Sequence, residues 1–265
     1  MKINLVVLVF ACTAFSSSAA NVVAPSILTS TEGQAGNSAP FGIGVISQRY
    51  QQVYEANLFS SIPAAGAIIT GMAFRVDSGG NSFTSTLPDI QINLSTTSFG
   101  ENPSSGNPGP FDNYLRREFA DNVGWDDTIV YARGALTLSG TGGGAPNPFD
   151  VLINLTTPFT YNPANGNLLL DVRNYGGGTS TFFDGTFGSG DGMSRVMSIP
   201  YEFSPGLGVN SGQANYWDTL GLVTQFIYQP VPEPTSSVFC RVGLAVFLCF
   251  KIRQRTSSKG FLAKG

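Results

Sequence analysis

The densest group of potentially reactive side chains in this sequence is acidic. Glu118, Asp121, Asp126 and Asp127 crowd around Trp125. Two carboxylates held about 5 to 9 Å apart across a glycosidic bond are the machinery of sugar hydrolysis, and an indole beside them would be a stacking surface. Closeness along the chain does not create that spacing, because the two acids of a glycosidase usually come from different strands. The same oxygens could instead hold calcium. Asp121, Asp126 and Asp127, with Asn122, form one candidate set, and Asp184 and Asp191 on the Gly-rich run from Asp184 to Gly192 form another. Neither matches an EF-hand loop or the nonapeptide calcium repeat. Their structural alternative is a set of solvated turn acids.

What the chain lacks narrows the chemistry. It has no histidine, which removes Ser-His-Asp and Cys-His catalysis and histidine-ligated zinc or copper. The three cysteines, Cys12, Cys240 and Cys249, lie in the terminal segments, so the region between them must hold together by packing and sheet hydrogen bonds. Residues 21–230 carry seven arginines, no lysine and sixteen carboxylates, a formal charge of −9, against −3 for the whole chain. An acidic, lysine-free domain is no partner for nucleic acid, whose binding begins with phosphate neutralisation. Gly142-Gly143-Gly144 is followed by no lysine and opens no helix, so it is not a phosphate cradle. No cofactor is required, and calcium is the one ion these residues would suit. Trp125, and Trp217 with neighbouring Tyr216, are candidate carbohydrate platforms, their alternative being core packing.

The elements that must position these groups read as β throughout. Strands are predicted at 43–55, 67–76, 89–95, 128–138, 149–155, 167–173, 194–199 and 222–228, rich in β-branched, aromatic and leucine residues with frequent alternation. Ile90, Ile92 and Leu94 share one face of the clearest of them. Gly-, Pro-, Asn- and Ser-rich stretches separate the strands. One or two helical turns are predicted over 113–120, with Asp112 as cap. A hairpin is predicted between Tyr161 and Asn167, with Gly166 supplying positive φ. The expectation is an all-β, antiparallel β-sandwich of jelly-roll type in its connectivity. Residues 21–230 suffice for one such domain.

The two ends read as addresses. Met1-Lys2, an apolar run from Ile3 to Phe15 and Ser16-Ser17-Ser18-Ala19-Ala20 form a signal peptide, residues 1–20, with Ser18 and Ala20 at the minus-three and minus-one positions for signal peptidase. A lipid-modified Cys12 is the alternative. At the other end stand Val231-Pro232-Glu233-Pro234, a run from Val238 to Phe250, and Lys251, Arg253 and Arg255. Proline fixes φ and pushes the residue before it into extended backbone, so the first part is a rod that joins neither sheet nor helix. The apolar run alone is shorter than a bilayer core of roughly 30 Å, whereas residues 235–252 come close to the length of a spanning helix. The cations that follow it would stay in the cytoplasm and leave residues 21–230 outside.

In this order and position, the Pro-Glu-Pro motif, apolar segment and basic cluster resemble the sorting signal of PEP-CTERM proteins of the bacterial envelope. That resemblance implies an exosortase acting at the tripeptide, transient or permanent anchoring of residues 231–265 through a hydrophobic sorting helix, and a destination at the cell surface or extracellular matrix. The stretch from Leu155 to Val172 is similar to one recurring in such ectodomains, and Phe119 to Gly124 looks like a shorter one. Neither brings a catalytic residue. The functional expectation is a non-enzymatic structural or adhesive protein of the extracellular polymer layer, as in biofilm. The alternative is a carbohydrate-binding module for extracellular polysaccharide, and a carboxylate glycosidase or lyase is the third reading.

Overall fold

A computed structural model describes residues 18–42, 47–102, 113–200 and 207–231. They belong to a compact unit spanning Ser17–Val231. Its strands are, in chain order, β1 (Ala20–Ala24), β2 (Ala35–Asn37), β3 (Gln48–Tyr54), β4 (Ala67–Phe74) and β5 (Phe83–Thr97). There follow β6 (Thr128–Gly140), β7 (Val151–Tyr161), β8 (Asn167–Gly176), β9 (Phe183–Phe187) and β10 (Met193–Ser198). The last three are β11 (Tyr216–Asp218), β12 (Leu220–Leu222) and β13 (Thr224–Pro230). Every paired strand is antiparallel.

Two sheets share one core. The first has the order β1-β13-β4-β7 and the second β11-β10-β3-β8-β5-β6, while β12-β9-β2 forms a third, small sheet. Alternation explains which side faces in. Ile90, Ile92 and Leu94 of β5 and Leu168, Leu170 and Val172 of β8 are fully buried on the inner face of the six-stranded sheet. Opposite them lie Ile69 and Met72 of β4, Ile153 of β7 and Phe226 of β13. Aromatic rings join the layers: Tyr54 of β3 meets Phe226 edge-on at 5.1 Å between centroids, and Phe59 meets Tyr161 at 5.1 Å. Each such ring contributes roughly 2–3 kcal/mol of apolar burial.

Two strands are longer than predicted. β5 was expected over 89–95 and runs from Phe83 to Thr97, passing Pro88, which falls in a register shift between Leu87 and Ile90. β7 was expected to stop at Leu155 and continues to Tyr161, because Pro158 lies where this edge strand is unpaired between Asn154 and Phe159. A missing amide donor costs nothing at either position. Of the first predicted strand, Gln48–Tyr54 is β3, and residues 43–46 lie outside the described ones. The short strands β1, β2, β9, β11 and β12 gave no period long enough to read.

Two further expectations are corrected. The helical turn lies at α1 (Phe119–Asn122), after Glu118, whose side chain makes no capping bond. Tyr114, inside the predicted helix, instead bridges to Gly100. The connection from Tyr161 to Asn167 is not a hairpin. β7 belongs to the four-stranded sheet and β8 to the six-stranded one, so this loop is an arch across the sandwich. Its turn chemistry is as expected, with Asn162 accepting from the Ala164 amide and Gly166 at φ 143°. Ala20 is the first residue of β1 and pairs with Tyr228. Among the described residues no helix is long and apolar enough to cross a membrane. The apolar run, the basic cluster Lys251, Arg253 and Arg255, and Pro232-Glu233-Pro234 lie outside the described residues.

Candidate functional site

Of the predicted acids and platforms, Asp126, Asp127 and Trp125 meet at a single turn, Gly124 to Asp127, lying against the end of β5. The Asp127 amide donates to the Gly124 carbonyl at 3.3 Å, closing the turn with Trp125 and Asp126 at its corner. Asp126 fastens it to β5, one carboxylate oxygen accepting from the Thr96 amide and the other from the Thr96 hydroxyl, both at 2.6 Å. Asp127 accepts from the side-chain amide of Asn93 at 3.0 and 3.1 Å. The Gly124 amide donates to the Ser95 hydroxyl at 3.1 Å. Gly124 is required here because a Cβ would overlap the Thr96 carbonyl oxygen.

This clamp gives the acids a different role from those predicted. Asp126 and Asp127 spend their oxygens on β5, and the exposed Asp121 lies 3.6 Å from Arg116. They hold the turn rather than converge on a shared point. What the clamp presents is Trp125, with 88% of its surface exposed. An indole left in water on a turn forgoes the burial a tryptophan usually gains.

Two grooves border it. The larger, about 320 Å³, is lined by Trp125, Asp126 and Thr128 and, across from them, by Pro158, Phe159, Thr160, Asn162 and Asn165. The smaller, about 200 Å³, is lined by Trp125, Asp121, Val123 and Gly124 with Thr97, Ser98 and Asn165. Thr96 and Asn165 border both. The far wall is thus the arch between the sheets, whose length is set by the Pro163–Asn165 turn.

The other two platform candidates stand elsewhere. Neither groove is lined by Tyr216 or Trp217. Trp217 is partly buried against Phe119, Leu115 and Val196, with the Arg117 guanidinium stacked 5.0 Å from its ring. Tyr216 is 40% exposed and lies 5.9 Å from the Arg195 guanidinium. Both serve the packing of the edge strand β11.

The second calcium set is also divided. Asp184 is buried in β9, where the Arg75 guanidinium donates to it at 2.6 Å and the Gly33 amide at 2.9 Å. Its neighbours are Glu32 and Asp77, and one oxygen from each of the three lies within 4.8 Å of the others. Burial raises all three carboxyls above the usual range, and the mutual repulsion with Asp184 pushes Glu32 and Asp77 further up; Arg75 offsets part of the rise at Asp184. These residues could hold a cation, with Arg75 already supplying one positive charge. Glu32 and Asp77 were missed because they sit 45 residues apart on loops without any metal-binding spacing.

Asp191 lies instead in a turn next to Glu101. It accepts from the Met193 amide and the Thr186 hydroxyl, each at 3.0 Å, and its carboxyl is raised to about 6, chiefly by burial and further by Glu101. Glu101 binds the same turn through the amides of Gly190 and Gly192, at 2.7 and 3.0 Å, and burial lifts its carboxyl too.

The comparisons add no relative: no family model, no curated protein and no solved structure matches this chain.

Proposed function

We propose that this chain is an exported, non-enzymatic surface protein, sorted at its C-terminus by an exosortase, whose β-sandwich adheres to polysaccharide in the extracellular polymer layer. The observation that carries the adhesive role is the Trp125 platform, exposed, held by its turn and bordered by two grooves of mixed polar and apolar lining. A flat aromatic face with hydroxyls and amides around it matches a sugar ring, apolar on its faces and polar at its rim. The two stretches that carry the resemblance to PEP-CTERM ectodomains also meet here. Asp121, Val123 and Gly124 come from the shorter, and Pro158 to Asn165 from the longer. With Asp126 and Asp127 engaged by Thr96 and Asn93, holding a glycan suits the site better than cleaving one.

Sorting is supported at the domain's edge. β13 ends at Pro230, and the Val231 amide still donates to the Gly66 carbonyl at 3.0 Å. Pro232-Glu233-Pro234 follows Val231 directly along the chain, in a sequence suited to a protease that needs extended backbone. Signal peptidase at the N-terminus, transient or permanent membrane attachment through the C-terminal helix, and jelly-roll connectivity belong to the same proposal. Intact mass and fractionation of the protein from its host, with and without the exosortase, test it. A species outside the cell that begins near Asn21 and ends near Pro234 only when the exosortase is present is the expected result. A membrane species that retains Lys251 to Gly265 in both strains would overturn the sorting assignment.

A further inference from the structure

We infer that the Trp125 face takes an internal stretch of an uncharged glycan chain, with one ring on the indole and a neighbouring ring in each groove. This rests on the polysaccharide reading above and adds which part of the polymer, and which charge class, the site recognises.

Two grooves border the platform, with Trp125, Thr96 and Asn165 as shared walls and otherwise separate linings, one drawn from residues before Trp125 and the other from residues after it. A ring stacked on the indole can use both only if the chain continues from both of its ends. A single sugar would fill the platform and a chain end one groove. Volumes of about 320 and 200 Å³ are at and below the lower end for small-molecule sites, enough for a ring or two each.

The walls favour neutral hydroxyls. The Ser98 and Thr160 hydroxyls and the Asn165 side-chain amide make no hydrogen bond among the described residues, which leaves them for a ligand. The charges in the grooves are negative, Asp121 and Asp126. Beside Asp121 stands Arg116, 3.6 Å from it and 4.7 Å from the Phe99 ring, so that its charge is balanced in part by that carboxylate. A glycan bearing carboxylate or sulfate would meet like charge, within a domain of net charge −9.

The test uses the full chain in a zwitterionic detergent free of sugar headgroups. Calorimetric titrations with oligomers of one to six units would be made for β-1,4-linked glucose, β-1,4-linked N-acetylglucosamine and α-1,4-linked glucose. In at least one series affinity should rise about tenfold or more between one and three units and then level off. Blocking both ends of the hexamer should change affinity less than about twofold, and a carboxymethylated polymer should bind about tenfold more weakly than its neutral parent. Trp125→Ala should abolish binding in that series. Equal affinity for one and six units, loss of binding on blocking the ends, or undiminished binding of the carboxymethylated polymer would overturn this inference while leaving the polysaccharide reading in place. Absence of binding in all three series would overturn both.

Discussion

Replacing Asp191 by asparagine should stabilise the domain at pH 8 and leave it unchanged near pH 4. Asp191 is raised from an ordinary value of 3.8 to about 6, first by burial and also by Glu101, while the Met193 amide and Thr186 hydroxyl pull it back. The folded form therefore binds a proton more tightly than the unfolded one. Its contribution to stability is fully present below pH 3.8 and is lost as pH rises through about 6. A shift of about two units corresponds to roughly 3 kcal/mol, and because Asp191 is only partly buried, solvent screening reduces this to about 1–2 kcal/mol. Asparagine stands in for the protonated acid, since its carbonyl can accept from Met193 and its amide can donate to the Thr186 hydroxyl. Thermal melts of the full chain and of Asp191→Asn at pH 4, 6 and 8 read the effect. For a domain of this size the variant should melt about 2–6 °C higher at pH 8 and equally at pH 4. A gap of the same size at all three values, or a less stable variant at pH 8, would refute the reasoning.

Further outcomes follow from the same geometry. Glu32, Asp77, Asp184 and Glu101 are raised alongside Asp191, so the unmodified protein should gain stability as pH falls from 8 to 5, as denaturant midpoints would show. Arg75→Met leaves the buried Asp184 without its cation and should cost about 3–5 kcal/mol, and adding Asp184→Leu should restore much of that; chemical denaturation of both variants measures it. Gly124→Ala should destabilise by about 2 kcal/mol or more and weaken glycan binding, because the Trp125 turn cannot then close on Thr96. Trp125→Ala, at an exposed position, should shift stability by less than about 0.5 kcal/mol, so any loss of binding is not a loss of folding.

The parts of the fold legible from sequence were those with a local signal. The alternation of Ile90, Ile92 and Leu94 marked β5, and the turn residues of Asn162 to Gly166 marked the end of β7. What that turn connects was not legible, because a hairpin and an arch between sheets use the same residues and differ only in partners far along the chain. The predicted bounds 89–95 and 149–155 fell short of Phe83–Thr97 and Val151–Tyr161, since sequence does not say that Pro88 and Pro158 occupy positions where the strand goes unpaired. At the site, Trp125 and its acids stood out by composition, but their division of labour did not. Asp126 and Asp127 look like reactive carboxylates until Thr96 and Asn93, some thirty residues earlier, are placed beside them. Asn165 and Ser98 carry no signal of their own, and only packing brings them to the grooves.

The most direct test of the account is the fluorescence of a full chain carrying Trp217→Phe, in which Trp125 is the remaining tryptophan. If the Trp125 face binds polysaccharide, saturating polymer should shift its emission to shorter wavelength and shield it from acrylamide, with the same midpoint as calorimetric binding. Polymer that binds by calorimetry while Trp125 stays fully quenchable and its emission unmoved would contradict the account.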